Sequence, residues 1–438
     1  MAAPETFSLR GRTPESLVFL AAVPIIFWHL RYQPKTHFGI GSATVGIELS
    51  DVAVLAVIVA AVVCGGRLGF TPLWRGISLW VAIALLFVWI AVGVTHGSGH
   101  DGYPWQTHGV TAAKFFEYAL LAPAVVLLVR QRADLLLVAY VLVAWSVVAT
   151  VVGLVQFFGA NIFVSGATGG RQLSFLGFHD FGALSAAALA CGMVGLAFGP
   201  SWVAWVAAVS GALGVVLSGS VAAVIGLGLG AVGLVAIAYL RGEIFPRRLA
   251  VVAAVLALTA LGVAGQRANE LDNVLRLVGI EAERAPQKEV ESYAHRAVLV
   301  WIGWHIFLDH PVAGAGWEAS GDPATFMPHV AEARRQFPDE PALAFPAPNR
   351  PYGVQNLYVQ FLADLGVVGL LLLLAVFACA VRLAVRARLA LALLLTAVAA
   401  GVWIAQGIVA GIPLDALTWI GIGLTAQDFG AASGKMAA

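Results

Sequence analysis

Charge is what this sequence lacks. Of its 438 residues only 11% are Asp, Glu, Lys or Arg, against about 25% in a soluble globular chain. With 60% hydrophobic residues, the chain has too little polar surface to cover its apolar side chains, which excludes a water-soluble fold. Cysteine is also scarce. Cys64, Cys191 and Cys379 lie in or beside apolar runs with no paired spacing, so no disulfide framework or Cys-based metal site is expected. A net charge of +1 offers no electrostatic footprint for nucleic acid. Neither a Walker loop nor an HExxH pattern is present, which argues against direct ATP use. His295, His305, His310 and His329 have no metal-ligand spacing, so no metal and no cofactor are expected.

Long apolar runs are what the sequence has in abundance. A bilayer core of about 30 Å takes about 20 residues of helix at 1.5 Å each. Twelve spans are placed at 15–31, 50–66, 76–95, 110–129, 134–157, 180–199, 201–218, 220–240, 248–265, 365–382, 389–410 and 414–430. The first run follows Arg10 and Arg12 and has no small-residue cleavage site, so it reads as a retained span. The expected fold is an all-α polytopic membrane protein of about twelve transmembrane helices. Residues 1–438 form one membrane-embedded domain in this reading. A large external region, 266–364, carries short amphipathic helices between spans nine and ten.

Orientation follows from Lys and Arg in the short loops. With the N-terminus in the cytoplasm, that side collects Arg10, Arg12, Arg67, Arg75, Arg130, Arg132, Arg241, Arg247, Arg248, Arg382, Arg386, Arg388 and Lys435. The short outer loops keep Arg31, Lys35 and Arg171. The asymmetry survives only if Gln355–Asp364 is a short helix at the outer face rather than a crossing. Both termini are then cytoplasmic and the long loop is extracytoplasmic.

Polar chemistry gathers in Glu291–Gly369. Arg296 opens an amphipathic segment containing Trp301 and Trp304. Arg offers a planar fork of donors suited to phosphate; equally, it could anchor an interfacial helix beside an aromatic belt. Lys114 and Glu117 sit three residues apart on one helix face and can pair. An ionisable group at mid-membrane costs at least about 2.5 kcal/mol, so both are functional candidates unless they snorkel to the boundary. Arg171 lies among glycines in an external loop and could hold a phosphate or a lipid headgroup. His179-Asp180 begins a helix, where Asp is a favoured cap.

These motifs resemble the O-antigen ligase / O-antigen polymerase superfamily of bacterial membrane glycan-assembly proteins. The resemblance rests on Arg296…Trp301, Pro311-Val-Ala-Gly314-Ala-Gly316, Gln355-Asn356-Leu-Tyr358 and Asp364-Leu-Gly366-Val-Val-Gly369, in that order. Arg171…Gly177-Phe-His179-Asp180 and Ile47-Glu-Leu-Ser-Asp51 extend it toward the N-terminus. Two positions depart from the pattern. Gln355 stands where the family has a His, and a carboxamide is no base at neutral pH. Val221, after Leu217-Ser-Gly-Ser220, stands where relatives commonly carry Arg.

The resemblance implies a GT-C-like enzyme of the bacterial inner membrane. It would move a glycan from a polyprenyl diphosphate to an acceptor hydroxyl on a lipid or glycan, working among membrane lipids and polysaccharide-assembly partners. Arg296, Gln355 and Asp309 are then the expected catalytic residues. Arg171, Asn356, Tyr358, Arg350, Lys114, Glu117, His179 and Trp301 are the expected substrate contacts, with Asp180 a further candidate base. A non-catalytic binder of lipid-linked glycan and a transporter remain the rival readings.

Overall fold

The computed structural model describes residues 13–429 apart from 98, 100, 101, 164–169 and 269–291. Arg10, Arg12 and Lys435, used above for orientation, lie outside the described residues. The helices run α1 (Pro14–Ile26), α2 (Leu49–Leu68), α3 (Ile77–Gly97), α4 (Trp105–Ala119), α5 (Leu121–Leu128), α6 (Arg132–Phe157), α7 (Phe178–Phe198) and α8 (Trp202–Ser218). They continue with α9 (Val221–Arg241), α10 (Pro246–Gln266), α11 (Ser292–Asp309), α12 (Pro323–Gln336), α13 (Leu357–Ala387), α14 (Ala390–Val402) and α15 (Pro413–Thr425).

The chain is an all-α polytopic membrane protein. Among the described residues, eight helical segments are long and apolar enough to cross a membrane, and α1, α8 and α14 are shorter apolar helices. Each of the twelve expected spans coincides with a helical segment. Lipid-facing surfaces are legible in the side chains left uncovered. Val232, Leu258 and Leu261 on α9 and α10 are exposed, as apolar residues can be only against an apolar solvent or partner. The core centres on α7, whose Ala- and Gly-rich face admits α8 at close range. A Cβ on Gly192 would meet the backbone of Ala208 at 2.5 Å, and one on Gly211 the backbone of Leu189 at 2.4 Å.

One element was not expected. Lys35–Ile40 (β1) and Ala43–Glu48 (β2) form an antiparallel hairpin, with Ile40 opposite Ala43. Gly41 takes φ +60° at the turn, a conformation that costs other residues a Cβ clash. Gln106 Oε1 accepts from both the backbone N–H and the Oγ of Ser42 at 2.6 Å, tying the hairpin to α4.

Of the Gln355–Asp364 stretch, the part from Leu357 is helical, and its helix breaks at Gly366 (φ 68°, ψ −169°) before continuing to Ala387. That conformation belongs to glycine almost alone. A break exposes backbone groups that must find partners away from water, and they do. Ala315 and Gly316 donate to the carbonyls of Ala363 (2.9 Å) and Asp364 (3.0 Å), and Val367 N–H donates to Pro311 (2.9 Å). Trp89 Nε1 donates to the Leu365 carbonyl at 2.9 Å. The Pro311–Gly316 and Asp364–Gly369 motifs are therefore two halves of one backbone joint.

Candidate functional site

Three segments far apart in sequence meet at the start of α7. The loop 170–177 is pinned by Gln156, whose Oε1 accepts from Ser174 N–H (2.8 Å) and whose Nε2 donates to the Ser174 carbonyl (3.0 Å). Gln172 N–H donates to Leu217 at 2.9 Å, joining the loop to the Ser218–Ser220 turn between α8 and α9. The end of α10 closes the group: Gln266 Nε2 donates to the carbonyls of Gly170 and Leu217, each at 3.3 Å.

Arg171 is 7% exposed. Its Nε donates to the Ser218 carbonyl at 2.9 Å, and its guanidinium lies 4.2 Å from the centre of the Phe178 ring. Arg267, 3% exposed, follows directly on Gln266. Arg296 comes from the second turn of α11. Its Nε donates to Gln355 Oε1 at 3.2 Å, and its Nη2 lies 3.2 Å from His179 Nε2. All three guanidinium groups are within electrostatic reach of His179. Arg296 thus touches the imidazole, and Arg171 and Arg267 add positive charge near it. Such an array can bind an oxyanion by multiple charge-assisted hydrogen bonds.

Of the expected residues, this arrangement brings together Arg296, Gln355, His179 and Arg171. Arg267 was not singled out from the sequence. The available signal was a charge immediately after an apolar span, beside the turn where Val221 carries none. Asp180 does not cap its own helix: its Oδ1 accepts the N–H of Leu414 at 3.0 Å, at the first turn of α15.

Other expected residues lie elsewhere or are otherwise engaged. Lys114 does not pair with Glu117. It binds Glu48 and, at 3.1 Å, Asp51, because the end of the hairpin and the first turn of α2 deliver two carboxylates where helical spacing offered one. Burial opposes ionisation of Glu48, but the Lys114 bond outweighs it and holds that carboxyl below its usual range. Asn356 caps α13 by accepting from Val359 N–H (3.1 Å) and donates to Ile404 O (2.9 Å). Tyr358 donates to Ala400 O at 2.7 Å. Both hold the segment after α14 beside the cluster. Arg350 donates to the Phe345 carbonyl at 3.1 Å and shapes the loop that also receives His295, whose Nδ1 lies 2.7 Å from Ala344 O. Burial, helped by the charges of Arg296 and Arg350, holds the His295 imidazole below the usual histidine range.

Trp301 stacks on His305 with ring centres 3.6 Å apart and meets Phe337 edge-on. It belongs to the α11–α12 core with Ile302, Ile306 and Phe326, away from the substrate-contact role expected of it. Asp309 ends α11, thirteen residues and so about 20 Å beyond Arg296. Its side chain is 61% exposed and lies 3.5 Å from His329. Both line a separate cavity of about 300 Å³ with Tyr103, His310 and Asp322. Next to it, His108 bridges Asp322 (2.9 Å) and Glu318 (3.3 Å).

The family model described as O-antigen ligase matches residues 206–374. This match supports the O-antigen ligase/polymerase superfamily over residues 206–374. No curated protein matches the sequence. The matched segment contributes Arg267, Arg296 and Gln355 to the cluster, with the Ser218–Ser220 turn and the glycine joint. Arg171 and His179 come from the loop 170–177 and the first turn of α7, both before the matched segment. The family supports a role in membrane glycan assembly.

Proposed function

We propose that the protein transfers a glycan from a polyprenyl diphosphate to an acceptor hydroxyl, at the face of the bacterial inner membrane opposite the cytoplasm. The observation that carries this reading is a set of three arginines at one end of the bundle: buried Arg171 on Ser218 and Phe178, buried Arg267 directly after Gln266 at the same turn, and Arg296 between Gln355 and His179. When an acceptor oxygen attacks the anomeric carbon, negative charge grows on the departing diphosphate. Fixed cations aimed at that charge lower the barrier without reorganising during the reaction. Lipid-facing helices flank the cluster, so a carrier can bring its headgroup in while its tail stays in the bilayer. Arg267 supplies from α10 the charge that Val221 lacks beside the same turn.

Gln355 favours a second reading. A protein without a base at that position could bind the lipid-linked glycan within an assembly complex and leave transfer to another component. Purified protein, reconstituted with lipid-linked oligosaccharide extracted from the source cells, separates the two. Transfer to an acceptor that falls about 10²–10³-fold in Arg296→Ala supports the enzyme. Binding with no transfer by the wild type supports the binder. Undiminished transfer by Arg296→Ala removes the cluster from the chemistry.

A further inference from the structure

We infer that His179 is the proton acceptor for the attacking hydroxyl, in the role that the amide of Gln355 cannot fill. The inference rests on the glycan-transfer reading above. Its foundation is a single guanidinium with two neighbours. Arg296 holds Gln355 through Nε and His179 through Nη2, each at 3.2 Å. Side chains at 179 and 355 therefore flank the same guanidinium.

The tautomer follows from the chemistry of the pair. Arginine nitrogens only donate, so His179 Nε2 is the acceptor and carries its lone pair toward Arg296. The proton of the neutral ring is then on Nδ1, which is buried and has no hydrogen-bond partner among the described residues. No carboxylate orients this ring. Arg296 does so, and Asp180 beside it is committed to Leu414 N–H.

The other candidate bases are placed elsewhere. Asp309 is about 20 Å along α11 from Arg296. Asp180 accepts from the backbone of α15. Glu117 lies among Lys114, Glu48 and Asp51. His179 is the imidazole that touches the cationic cluster.

The step balances as follows. A diphosphate draws the donors of Arg296 to its own oxygens and releases Nε2. The acceptor O–H then gives its proton to Nε2 as its oxygen bonds to the anomeric carbon. The bond from that carbon to the diphosphate oxygen breaks, and its electron pair leaves with the diphosphate. The imidazolium returns its proton to the departing diphosphate. Arg296 thus couples arrival of the donor to exposure of the base.

The test uses full-length protein in nanodiscs, with lipid-linked oligosaccharide extracted from the source cells for turnover and undecaprenyl diphosphate for binding. His179→Gln keeps an acceptor for Arg296 but cannot take a proton. It is expected to lower kcat about 10²–10⁴-fold, with KM for the donor and binding of undecaprenyl diphosphate within about threefold of wild type. Adding Gln355→His to that variant is expected to restore at least tenfold of the lost kcat. Wild-type kcat in His179→Gln overturns the base while leaving glycan transfer standing. So does loss of undecaprenyl diphosphate binding in step with turnover, which makes His179 a binding residue, and so does absence of rescue. A wild type that binds undecaprenyl diphosphate but never transfers overturns the transfer reading, and the base with it.

Discussion

A methyl group on Gly314 would lie 2.2 Å from the carbonyl carbon of Asp364. The two residues belong to motifs fifty positions apart, and their backbones are in direct contact. Gly366 meets the other side of the joint, where a Cβ would come within 2.1 Å of the Val312 carbonyl oxygen. Both glycines have positive φ. Gly314→Ala and Gly366→Ala therefore combine a strained backbone, roughly 1–2 kcal/mol each, with a clash against rigid main chain. Each should lower the Tm of the detergent-solubilised protein by several degrees. Gly353→Ala, with nothing within 4 Å of a new Cβ, is the control and should change little.

Arg171 and Arg267 should matter to turnover separately from Arg296. Arg171→Lys keeps a positive charge but gives up the planar group that donates to Ser218 and lies over Phe178. Transfer is expected to fall about tenfold in Arg171→Lys and up to a hundredfold in Arg267→Ala. Single-turnover rates on folded protein check this. Equal rates for all three proteins would remove both groups from the site.

Asp309→Asn should leave transfer within about threefold of wild type, because its carboxylate sits about 20 Å from Arg296 along α11. A loss as large as that of Arg296→Ala would place the 300 Å³ cavity, not the cationic cluster, at the reacting bond.

Lys114→Met strands Glu48 and Asp51 in a largely buried setting. Removing one partner of a buried ion pair costs on the order of 3 kcal/mol. The variant should unfold at a lower temperature, and Lys114→Met combined with Glu48→Gln should recover part of the loss. Thermal unfolding followed by intrinsic fluorescence reads the difference.

Acidification should loosen the region around α11 through His295. Its imidazole is held below the ordinary histidine value by burial, so the unfolded chain binds the proton more readily. The contribution to stability is complete above about pH 6.5, the ordinary histidine value, and is lost as pH falls below it. His295→Gln removes this dependence. The Tm advantage of wild type over the variant should shrink between pH 7.5 and pH 5; an advantage that grows on acidification would contradict the assignment.

Much of this was legible in the residues. Sparse charge and long apolar runs gave the membrane and its helices, and the order of short motifs gave the family. Those motifs also named Arg296, Gln355, Arg171 and His179. What stayed hidden was pairing between elements. Helical spacing offered Lys114 the carboxylate of Glu117, whereas folding brought Glu48 from the end of the hairpin and Asp51 from the first turn of α2, 66 and 63 positions away. Periodicity describes which residues share a face of one helix; it says nothing of which helix comes to that face. Hence Asp309 and Arg296, close in sequence, stand apart, while Arg296 and His179 touch across 117 residues. Trp301 read as a substrate contact or part of an aromatic belt, yet it turns toward His305 and Phe337.

The bond from Leu414 N–H to Asp180 ties the last helix to the residue next to His179. A premature stop after Ile404 would delete no member of the arginine cluster. It would nevertheless cut the tether that steadies the imidazole-bearing end of α7. Nonsense lesions that remove α15 should therefore lower transfer even with every arginine of the cluster present.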